Sequence, residues 1–552
     1  MQYLRKPIWR RYAPFAILIL LDGWLLFGFS IVEGYPSTPA DTSFLIPLIL
    51  TLCISAWFFS KRPGIFLLQD AKPDETSLIQ DKENGQRGLL ILLKTLAGLT
   101  FFAAAFLWMM LMYRLDGFYI TPDTYSYVRV AEIPVTSTSF WIGERPITLP
   151  ILLKVFHINL ATLNDPSFVV SSRAKLFTQF QALFSLASFS LLAVAVSSHI
   201  QSRFLRSIAA TLTVTFAMLI DVAQWNRMLL SESVSLSLSA LVISLWLLAL
   251  HTFRVWHRIA PGLRGLLITF LIIVMAFFSL ARDVHAYMLA MISGVLMIAM
   301  AVPYVRKHPT APALITIALA TGCVAALQIS SQNLGERWLY PLTNIISKRV
   351  LTDSDAREFF LENGAPFDEI PDELLPVSCT EDCSNMHFFL QTNPYGQVLL
   401  EWTREEGKDV YLRYLLRQPL LILQRPFTNI VSLLSPDSTE YRQRQYADPM
   451  WLPLIRKILV PSSPDLILLW SVSALVISII MVGFSSQQEH LLLPISMIIF
   501  SYLLMLVIWH GDAIELERHA TQVSLQIKLA LWYSTIFILD KCWGGRKSLL
   551  RA

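Results

Sequence analysis

Long apolar runs, each close to twenty residues, constrain the fold of this chain more than any other feature. Residues 464–484, for example, contain a single charged side chain, that of Asp465. An α-helix of about twenty such residues crosses the hydrocarbon core of a bilayer. The chain of 552 residues is 54% hydrophobic and 15% charged, whereas soluble domains carry about 25% charged residues. We therefore predict an all-α polytopic membrane protein.

About twelve apolar runs are long enough to be predicted as spanning helices. They lie near 13–32, 43–60, 89–112, 174–199, 207–220, 232–252, 265–281, 286–304, 311–330, 464–484, 490–509 and 521–540. Basic residues concentrate in alternate connections, and the positive-inside rule then orients the chain in a cell membrane. It predicts cytoplasmic N- and C-termini, with residues 113–173 and 331–463 on the extracytoplasmic face.

The alternation of apolar and polar stretches predicts five parts. They are an N-terminal transmembrane hairpin (1–62), a cytoplasmic connector (63–88), a transmembrane core (89–330) with its first outer loop at 113–173, an extracytoplasmic region (331–463), and C-terminal transmembrane helices with a cytoplasmic tail (464–552). The N-terminal apolar run is long and has no small-residue cleavage site after it, so we predict a retained helix rather than a cleaved signal. In the extracytoplasmic region, DAREFFLENG and GKDVYLRYLLRQPLLILQ have the pattern of amphipathic helices on or near the membrane.

The net charge of +4 does not indicate a nucleic-acid partner, because the lysines and arginines are spread between apolar runs. Membrane lipids are the partners that this composition predicts. The cysteines do not form a disulfide framework. Cys379 and Cys383 are the one close pair, and on an oxidising outer face they would form a small disulfide, with free thiols as the open alternative.

The stretch ITPDTYSYVRVAEIP, residues 120–134, interrupts the apolar pattern and carries Asp123. Thr121 suits the cap of a helix and Pro122 its first position, which places Asp123 in the first turn. There the carboxylate faces the positive end of the helix dipole and stays ionised. A cap carboxylate and a general base are therefore both open interpretations of Asp123.

Other polar residues follow in the same outer loop. Asp116 precedes Asp123, and Tyr127 lies one helical turn after it. The stretch GERPITLPILLKVF, residues 143–156, opens with a basic–proline step at Arg145 and continues as a short apolar helix too short for a confident span. Arg145 is either an anchor at the membrane interface or a residue that holds the Asp123 loop.

A membrane helix followed by PD-x-x-x-Y-x-x-x-A and then RP-x-x-x-P-x-L-L resembles the start of the GT-C glycosyltransferases, which include protein O-mannosyltransferases and aminoarabinose transferases. The resemblance implies that Asp123 is the catalytic residue. Ser231-Glu232, at the outer start of a predicted helix, resembles the S/T-E step of that superfamily. Arg282 occupies the outer helix end where such enzymes often carry an arginine, although an interfacial arginine meeting lipid phosphates is the alternative.

The resemblance covers roughly residues 89–330 and implies a GT-C-like helix bundle. It implies an inverting enzyme that moves a sugar from a polyprenyl-phosphate donor to a lipid, glycan or protein acceptor at the outer face. Two departures leave subfamily and substrate open: Thr124 stands where many relatives have an acidic residue, and the hairpin 13–60 precedes the usual first helix. A transporter or flippase and a non-catalytic scaffold of the same fold are the alternatives.

The last outer loop, WHGDAIELERHATQ, concentrates ionisable residues between two predicted spans. The spacing of Asp512, Glu515 and His519 predicts one helical face, and carboxylate and imidazole groups are suitable ligands for a divalent metal. Arg518 with His519 is also suited to a phosphate, since arginine matches phosphate oxygens bidentately. A solvated loop is the third interpretation, and no cofactor is required by the sequence.

Overall fold

The computed structural model describes residues 119–549, except residue 166 and the segments 169–170, 255–259, 372–388, 435–451 and 485–488, and it also describes residues 102, 105, 106 and 109. The predicted spans 13–32 and 43–60 and most of 89–112 lie outside the described residues. Asp116 and the pair Cys379 and Cys383 lie outside them too. What is described is 84% helical, with no strand in that part of the chain.

The helices between residues 119 and 334 follow one another with short connections. They are α1 (Pro122–Glu132), α2 (Thr138–Trp141), α3 (Thr148–Val155), α4 (Leu160–Leu163), α5 (Ser172–Ser198), α6 (Arg203–Met218), α7 (Ile220–Ala223), α8 (Ser231–Arg254), α9 (Pro261–Ser279), α10 (Asp283–Ala301), α11 (Pro303–Arg306) and α12 (Ala311–Leu334). A 3-10 turn at Gln224–Arg227 separates α7 from α8.

The remaining helices belong to the region 331–463 and to the C-terminal spans. They are α13 (Leu339–Ile345), α14 (Ser354–Glu362), α15 (Pro394–Trp402), α16 (Lys408–Arg417), α17 (Pro419–Thr428), α18 (Ile430–Leu434), α19 (Leu452–Leu459), α20 (Pro464–Phe484), α21 (Leu492–Gly511) and α22 (Leu516–Leu549). Short π-helical turns continue α13 at Ile346–Val350 and precede α16 at Thr403–Gly407, and 3-10 turns lie at Pro366–Glu369 and Glu489–Leu491.

Eight helices in the described part of the chain are long and apolar enough to cross a membrane. A ninth span results if Arg203–Met218 and Ile220–Arg227, bent by 49° at Leu219, are counted together. These correspond to the nine spans predicted after residue 173, so the all-α membrane class is supported, while the number twelve is not confirmed. The run predicted at 207–220 is a broken helix rather than a straight one.

Burial separates central helices from peripheral ones. In the apolar windows of α8 and α22, 78% of the residues are buried inside the protein, against 22% in α20 and 28% in α9 and α10. Since a residue that faces lipid is exposed in the protein alone, α20, α9 and α10 lie at the bundle surface and α8 and α22 at its centre. The first turns of these two central helices carry Glu232 and Arg518.

The region 331–463 has a hydrophobic core of its own, formed around Phe360, Phe367, Leu399 and Val410. Both amphipathic segments predicted there are helical, as α14 and as α16 with α17. The outer faces of α16 and α17 expose a row of large apolar side chains. The row consists of Leu412, Leu416, Leu420, Leu423 and Phe427. This pattern is the one expected of helices that lie against a membrane surface.

Candidate active site

Backbone pairing across two loops brings Asp123 next to Glu232. The N–H of Tyr119 donates to the carbonyl of Arg227 at 2.7 Å, and the N–H of Leu229 donates to the carbonyl of Tyr119 at 3.3 Å. The two chains form an isolated parallel bridge at this point. Tyr119 lies just before α1, and Arg227 and Leu229 lie just before α8. The pairing therefore brings the first turns of α1 and α8 together.

The start of α1 matches the sequence prediction. Thr121 is the N-cap, Pro122 the first residue, and Asp123 lies in the first turn. The backbone N–H of Thr121 donates to the Thr124 hydroxyl at 2.9 Å. Thr124 is fully buried, and its hydroxyl donates to the carbonyl of Leu229 at 3.3 Å. The residue that departs from the GT-C pattern therefore fastens α1 to the chain before α8.

Two arginines hold the carboxylate of Asp123, one on each oxygen. Arg145 Nη2 donates to Oδ1 at 2.5 Å and Arg518 Nη2 donates to Oδ2 at 2.7 Å. The Asp123 side chain keeps 26% of its surface exposed, so a ligand can reach it. Burial alone would raise the pKa of Asp123, but the charges and hydrogen bonds of Arg518 and Arg145 outweigh it and hold that pKa well below its usual range.

Arg145 is positioned by residues of α1. Its Nε donates to the Ser126 hydroxyl at 2.6 Å, and its guanidinium lies 5.1 Å from the centre of the Tyr127 ring. The Tyr127 hydroxyl donates to the Ser231 hydroxyl at 3.0 Å, and burial raises the pKa of Tyr127. Of the two interpretations of Arg145, the geometry favours the one in which it holds the Asp123 loop.

Arg518 joins Asp123 to two further carboxylates. Its Nε lies 3.2 Å from Glu232 Oε1, and its Nη1 lies 3.0 Å from Glu515 Oε2. The Glu232 side chain is only 4% exposed and also has Arg282 Nη2 at 3.7 Å. A buried carboxylate needs such neighbours, because removing an unpaired charge from water is costly.

Arg282 and His519 complete the cluster. Arg282 is the N-cap of α10, and its Nη2 donates to His519 Nδ1 at 2.7 Å. His519 Nε2 in turn lies 3.6 Å from Asp512 Oδ2. The Arg282 side chain is 9% exposed, which is less than expected of an arginine that meets lipid phosphates at the protein surface.

Polar side chains one turn further along the central helices hold these helix starts together. His285 Nε2 lies 2.7 Å from Gln522 Oε1, and the Ser235 hydroxyl donates to the same oxygen. Gln526 Nε2 donates to the Ser239 hydroxyl at 2.5 Å. Hydrogen bonds of this kind between helices contribute about 0.6 kcal/mol each on average in membranes. They fix α8, α10 and α22 in the register that the cluster requires.

The prediction that Asp512, Glu515 and His519 lie on one helical face is wrong. Asp512 ends α21 with extended backbone, Glu515 has a positive φ of 51°, and α22 begins only at Leu516. The cause is the Asp512 carboxylate, which accepts the backbone N–H groups of Ala513 and Ile514 at 2.7 and 3.0 Å and so stabilises a turn.

Glu515 faces Arg518 and not the other two metal candidates. Among the described residues, no group of three or more potential ligands has an arrangement that could hold a metal ion. Burial raises the pKa of Asp512 to about 6, against opposing hydrogen bonds from Ile514, Asn344 and Ala513. In the structure, the Asp512 carboxylate therefore stabilises a turn and lies beside His519.

The structure thus brings seven of the residues singled out from sequence into one cluster. They are Asp123, Tyr127, Arg145, Glu232, Arg282, Arg518 and His519. Ser126 was missed by sequence reasoning, and only its position three residues after Asp123, on the same helical face, could have signalled it. Ser231 was noticed as part of a motif but not as the partner of Tyr127.

With Glu515 added as a partner of Arg518, the cluster has equal numbers of guanidinium and carboxylate groups. Its guanidinium groups are those of Arg145, Arg282 and Arg518, and its carboxylates are those of Asp123, Glu232 and Glu515. An arginine set of this kind binds phosphate oxygens well, and a fixed carboxylate beside it accepts a proton. No model of a protein family matches the chain, and no curated protein is similar to it.

Proposed function

We propose that the protein is an inverting membrane glycosyltransferase that moves a sugar from a polyprenyl-phosphate donor to an envelope acceptor, with Asp123 as the general base. The observation that carries the proposal is the contact of one partly exposed carboxylate, Asp123, with two arginines, Arg145 and Arg518. A reaction that takes up a proton at one atom and releases a phosphate at another needs both kinds of group side by side. The resemblance to the GT-C superfamily at the same residues is the second support.

In the proposed reaction, the acceptor hydroxyl lies against Asp123. Its oxygen forms a bond to the anomeric carbon while the bond from that carbon to the phosphate oxygen breaks. The bonding electrons leave with the phosphate, and the proton of the hydroxyl passes to Asp123. Attack from the side opposite the leaving group inverts the configuration. A well-placed base of this kind accelerates a reaction by roughly 10²- to 10⁴-fold.

Arg518 and Arg282 are the proposed partners of the departing phosphate. Both guanidinium groups are largely buried, with side-chain exposures of 8% and 9%. Charge that develops on a leaving group is stabilised more strongly by fixed donors in a site shielded from water than by mobile donors in solution. A buried arginine is such a fixed donor.

Donor binding would also turn Asp123 into a stronger base. The two arginines hold the pKa of Asp123 well below its usual range, which makes the carboxylate a weak base. A phosphate that takes hydrogen bonds from Arg518 removes part of this stabilisation and adds negative charge to the cluster. Both effects raise the pKa of Asp123. Asp123 is then a strong base only when a donor is bound.

The membrane supplies the setting for this substrate. A polyprenyl tail stays in hydrocarbon while its phosphate reaches a polar site at the helix ends, and the large extracytoplasmic region would cover that site and select the acceptor. The proposed location is the outer face of a cell membrane, with both termini cytoplasmic. A lipid, a glycan or a protein is the acceptor class.

The deciding experiment compares envelope glycolipids and glycoproteins by mass spectrometry in cells without the gene and in cells complemented with variants. Wild type should restore a sugar-modified species that the Asp123→Asn variant, made at the same level, does not restore. Asp165→Asn is the matched control, because it removes a fully exposed carboxylate from the same outer loop. Restoration by Asp123→Asn at the wild-type level would overturn the proposal and favour the non-catalytic scaffold.

A transporter or flippase is the second candidate, and one observation favours it. Lys528 lies on α22 about 15 Å beyond Arg518, is buried, and is close enough to Asp221 to interact electrostatically. Asp540, further along, accepts the N–H groups of Gln201 and Ser202 at 2.7 Å and so serves the start of α6. Movement of a fluorescent polyprenyl phosphate from one leaflet to the other in proteoliposomes, without any sugar transfer, would favour the transporter.

A further inference from the structure

A second group of cationic and aromatic side chains surrounds a cavity outside the Asp123 cluster. The cavity lies between the extracytoplasmic region and the end of α21, and it contains about 300 Å³ of space with its open mouth included. Its polar and aromatic lining consists of Arg349, Arg425, Tyr411, Tyr414, Trp509 and His510. No step of the proposed reaction uses these residues.

Arg349 carries a charge that no carboxylate pairs with directly in the described chain. Its guanidinium donates to the main-chain carbonyls of Trp509 and, at 2.9 Å, Asp512. It also stacks on the Trp509 ring, with 3.9 Å from its central carbon to the ring centre. Burial lowers the pKa of Arg349 to about 10, so the group remains charged at neutral pH.

Arg425 adds a second positive charge to the same wall. Its Nη2 pairs with Asp353 Oδ2 at 2.6 Å, and its guanidinium lies 5.7 Å from the centre of the Tyr414 ring. The side chains that line the cavity therefore include two guanidinium groups and no carboxylate, while Asp353 pairs with Arg425 and Asp512 acts on Arg349 from outside the lining. The two guanidinium groups of the lining favour an anion.

The hydrogen-bonding groups of the lining point to the same ligand chemistry. The indole N–H of Trp509 is buried without an acceptor, although Trp509 is only 6% exposed. A buried donor without a partner costs about 1–3 kcal/mol, so an acceptor atom in this cavity is favourable. An anionic oxygen group supplies acceptor atoms and negative charge together.

We propose that this cavity binds an anionic oxygen group, a phosphate monoester or a carboxylate, carried by the acceptor substrate. The assignment to the acceptor rests on the proposed glycosyltransferase function. It is favoured by position, because Asp512 connects the two sites. Its carbonyl binds Arg349, while its carboxylate lies 3.6 Å from His519 of the Asp123 cluster. Asp512 therefore contacts a residue of the cavity and a residue of the Asp123 cluster.

Binding is tested first without any sugar donor, by calorimetric titration of the full-length protein in detergent with inorganic phosphate. The Arg425→Gln variant should bind phosphate roughly tenfold more weakly, which is the effect of one lost charge-assisted hydrogen bond. Arg413→Gln is the matched control, because it removes an exposed arginine of α16 that does not line the cavity. Equal affinity in wild type and Arg425→Gln would overturn the proposal.

A second variant should strengthen phosphate binding, and a misfolded protein would not show this gain. Asp353→Asn frees the Arg425 guanidinium, and asparagine still caps α14 as Asp353 does through the N–H of Ala356 at 3.1 Å. This variant should bind phosphate more tightly than wild type. Unchanged or weaker binding by a folded Asp353→Asn protein contradicts the argument that the guanidinium groups of the lining favour an anion.

A local signal separates this cavity from the Asp123 cluster. In protein labelled with 5-fluorotryptophan, the ¹⁹F resonance that disappears in Trp509→Phe should shift on phosphate addition. The shift should persist in Asp123→Asn. If transfer activity is absent but the shift occurs, the proposed function fails and the anion site stands. If transfer occurs and Arg425→Gln leaves the KM for the acceptor unchanged, the acceptor assignment fails alone.

A competition experiment shows whether the anionic group belongs to a lipid or to a soluble molecule. Nanodiscs that contain phosphatidic acid should weaken the apparent affinity for inorganic phosphate if a lipid headgroup enters the cavity, relative to nanodiscs of phosphatidylcholine alone. Equal phosphate affinity in both nanodiscs assigns the site to a soluble acceptor. Absence of phosphate binding in either nanodisc overturns the proposal.

Discussion

Asp123 and Arg518 are separated by 395 positions in the chain, and their side chains are joined by a hydrogen bond of 2.7 Å. This contact ties the start of α1 to the last central helix, α22. Through Glu232, the same arginine reaches α8 as well. Arg518 is therefore the residue on which the geometry of the cluster depends most.

Arg518→Gln should destabilise the protein far more than Arg145→Gln. The Arg518 side chain is 8% exposed and that of Arg145 is 29% exposed. Loss of a buried partner costs about 3–5 kcal/mol, because Glu232 keeps a buried charge without its main counter-ion. Loss of Arg145 should cost about 1–2 kcal/mol. Midpoints of thermal unfolding in detergent measure the difference.

The pair Arg518→Gln and Glu232→Gln gives a double-mutant cycle. The second substitution should recover about 0.5–3 kcal/mol of the first, because it removes the charge that was left unpaired. Strict additivity of the two effects would show that the two side chains do not interact.

Asp512 should make the protein less stable as the pH rises. Its pKa is raised to about 6 in the folded protein by burial, from 3.8. The folded state then binds the proton more tightly, so the stabilisation is complete below pH 3.8 and is lost as the pH rises through 6. The loss is about 3 kcal/mol for a shift of this size. The Asp512→Asn variant should show a smaller fall of the unfolding midpoint between about pH 4.5 and 6.5.

Since the imidazole of His519 lies 3.6 Å from the Asp512 carboxylate, the histidine needs its own control. In the His519→Gln background, Asp512→Asn should still reduce the fall. A fall that disappears in His519→Gln alone would assign the pH dependence to the histidine.

Asp123 should contribute a stabilisation that is constant over the physiological range. Its pKa is well below the usual value because Arg518 and Arg145 stabilise the carboxylate. The contribution is therefore fully present above the unfolded pKa of 3.8 and is lost only as the pH falls below it. The difference in unfolding midpoint between wild type and Asp123→Asn should be the same at about pH 5 and pH 8. A difference that grows between these two values would mean that Asp123 titrates there in the folded protein.

Gly335→Ala should displace the loop that carries Arg145. A methyl group at Gly335 would lie 2.3 Å from the carbonyl oxygen of Ile142 and 2.9 Å from that of Gly143. Both are backbone atoms and cannot turn aside, so we expect a cost of about 1–3 kcal/mol and reduced transfer activity. In Gly294→Ala the methyl group meets nothing within 4 Å, and this control should be neutral or slightly stabilising.

Tyr127→Phe should lower stability by about 1 kcal/mol, because the buried Ser231 hydroxyl loses a hydrogen bond of 3.0 Å. The ring that lies against Arg145 remains in this variant. The control Tyr125→Phe removes a hydroxyl from a residue that is 40% exposed on the same helix. An equal effect of both substitutions on the unfolding midpoint would contradict the importance of the Tyr127–Ser231 bond.

The sequence predicts the helices and the members of the cluster better than it predicts their contacts. Apolar runs of spanning length and the Thr121-Pro122 start locate helices because they depend on local chemistry alone. The turn at Asp512 was missed because a side chain that binds its own backbone leaves no trace in helical spacing. The bend at Leu219 has no proline or glycine to mark it.

Which arginine would meet Asp123 could not be derived from residue spacing. Arg145 is near in sequence and Arg518 is not, yet both contact the same carboxylate. Arg349 and Arg425 were not singled out from the sequence, because nothing local shows that both line a cavity with Trp509 of α21. Contacts between distant segments depend on packing of the whole bundle, and a single sequence does not encode that packing in any short pattern.

The separation of Asp123 from Arg518 also has a consequence for biosynthesis. At about 5–20 residues per second, a ribosome needs roughly 20–80 s to add the 395 positions that lie between them. Once Glu232 has been added, the emerging polypeptide has Asp123, Arg145 and Glu232 but not the arginine that joins them. The cluster therefore stays incomplete until the first turn of α22 has been synthesised, and a chain that terminates before Arg518 cannot assemble it.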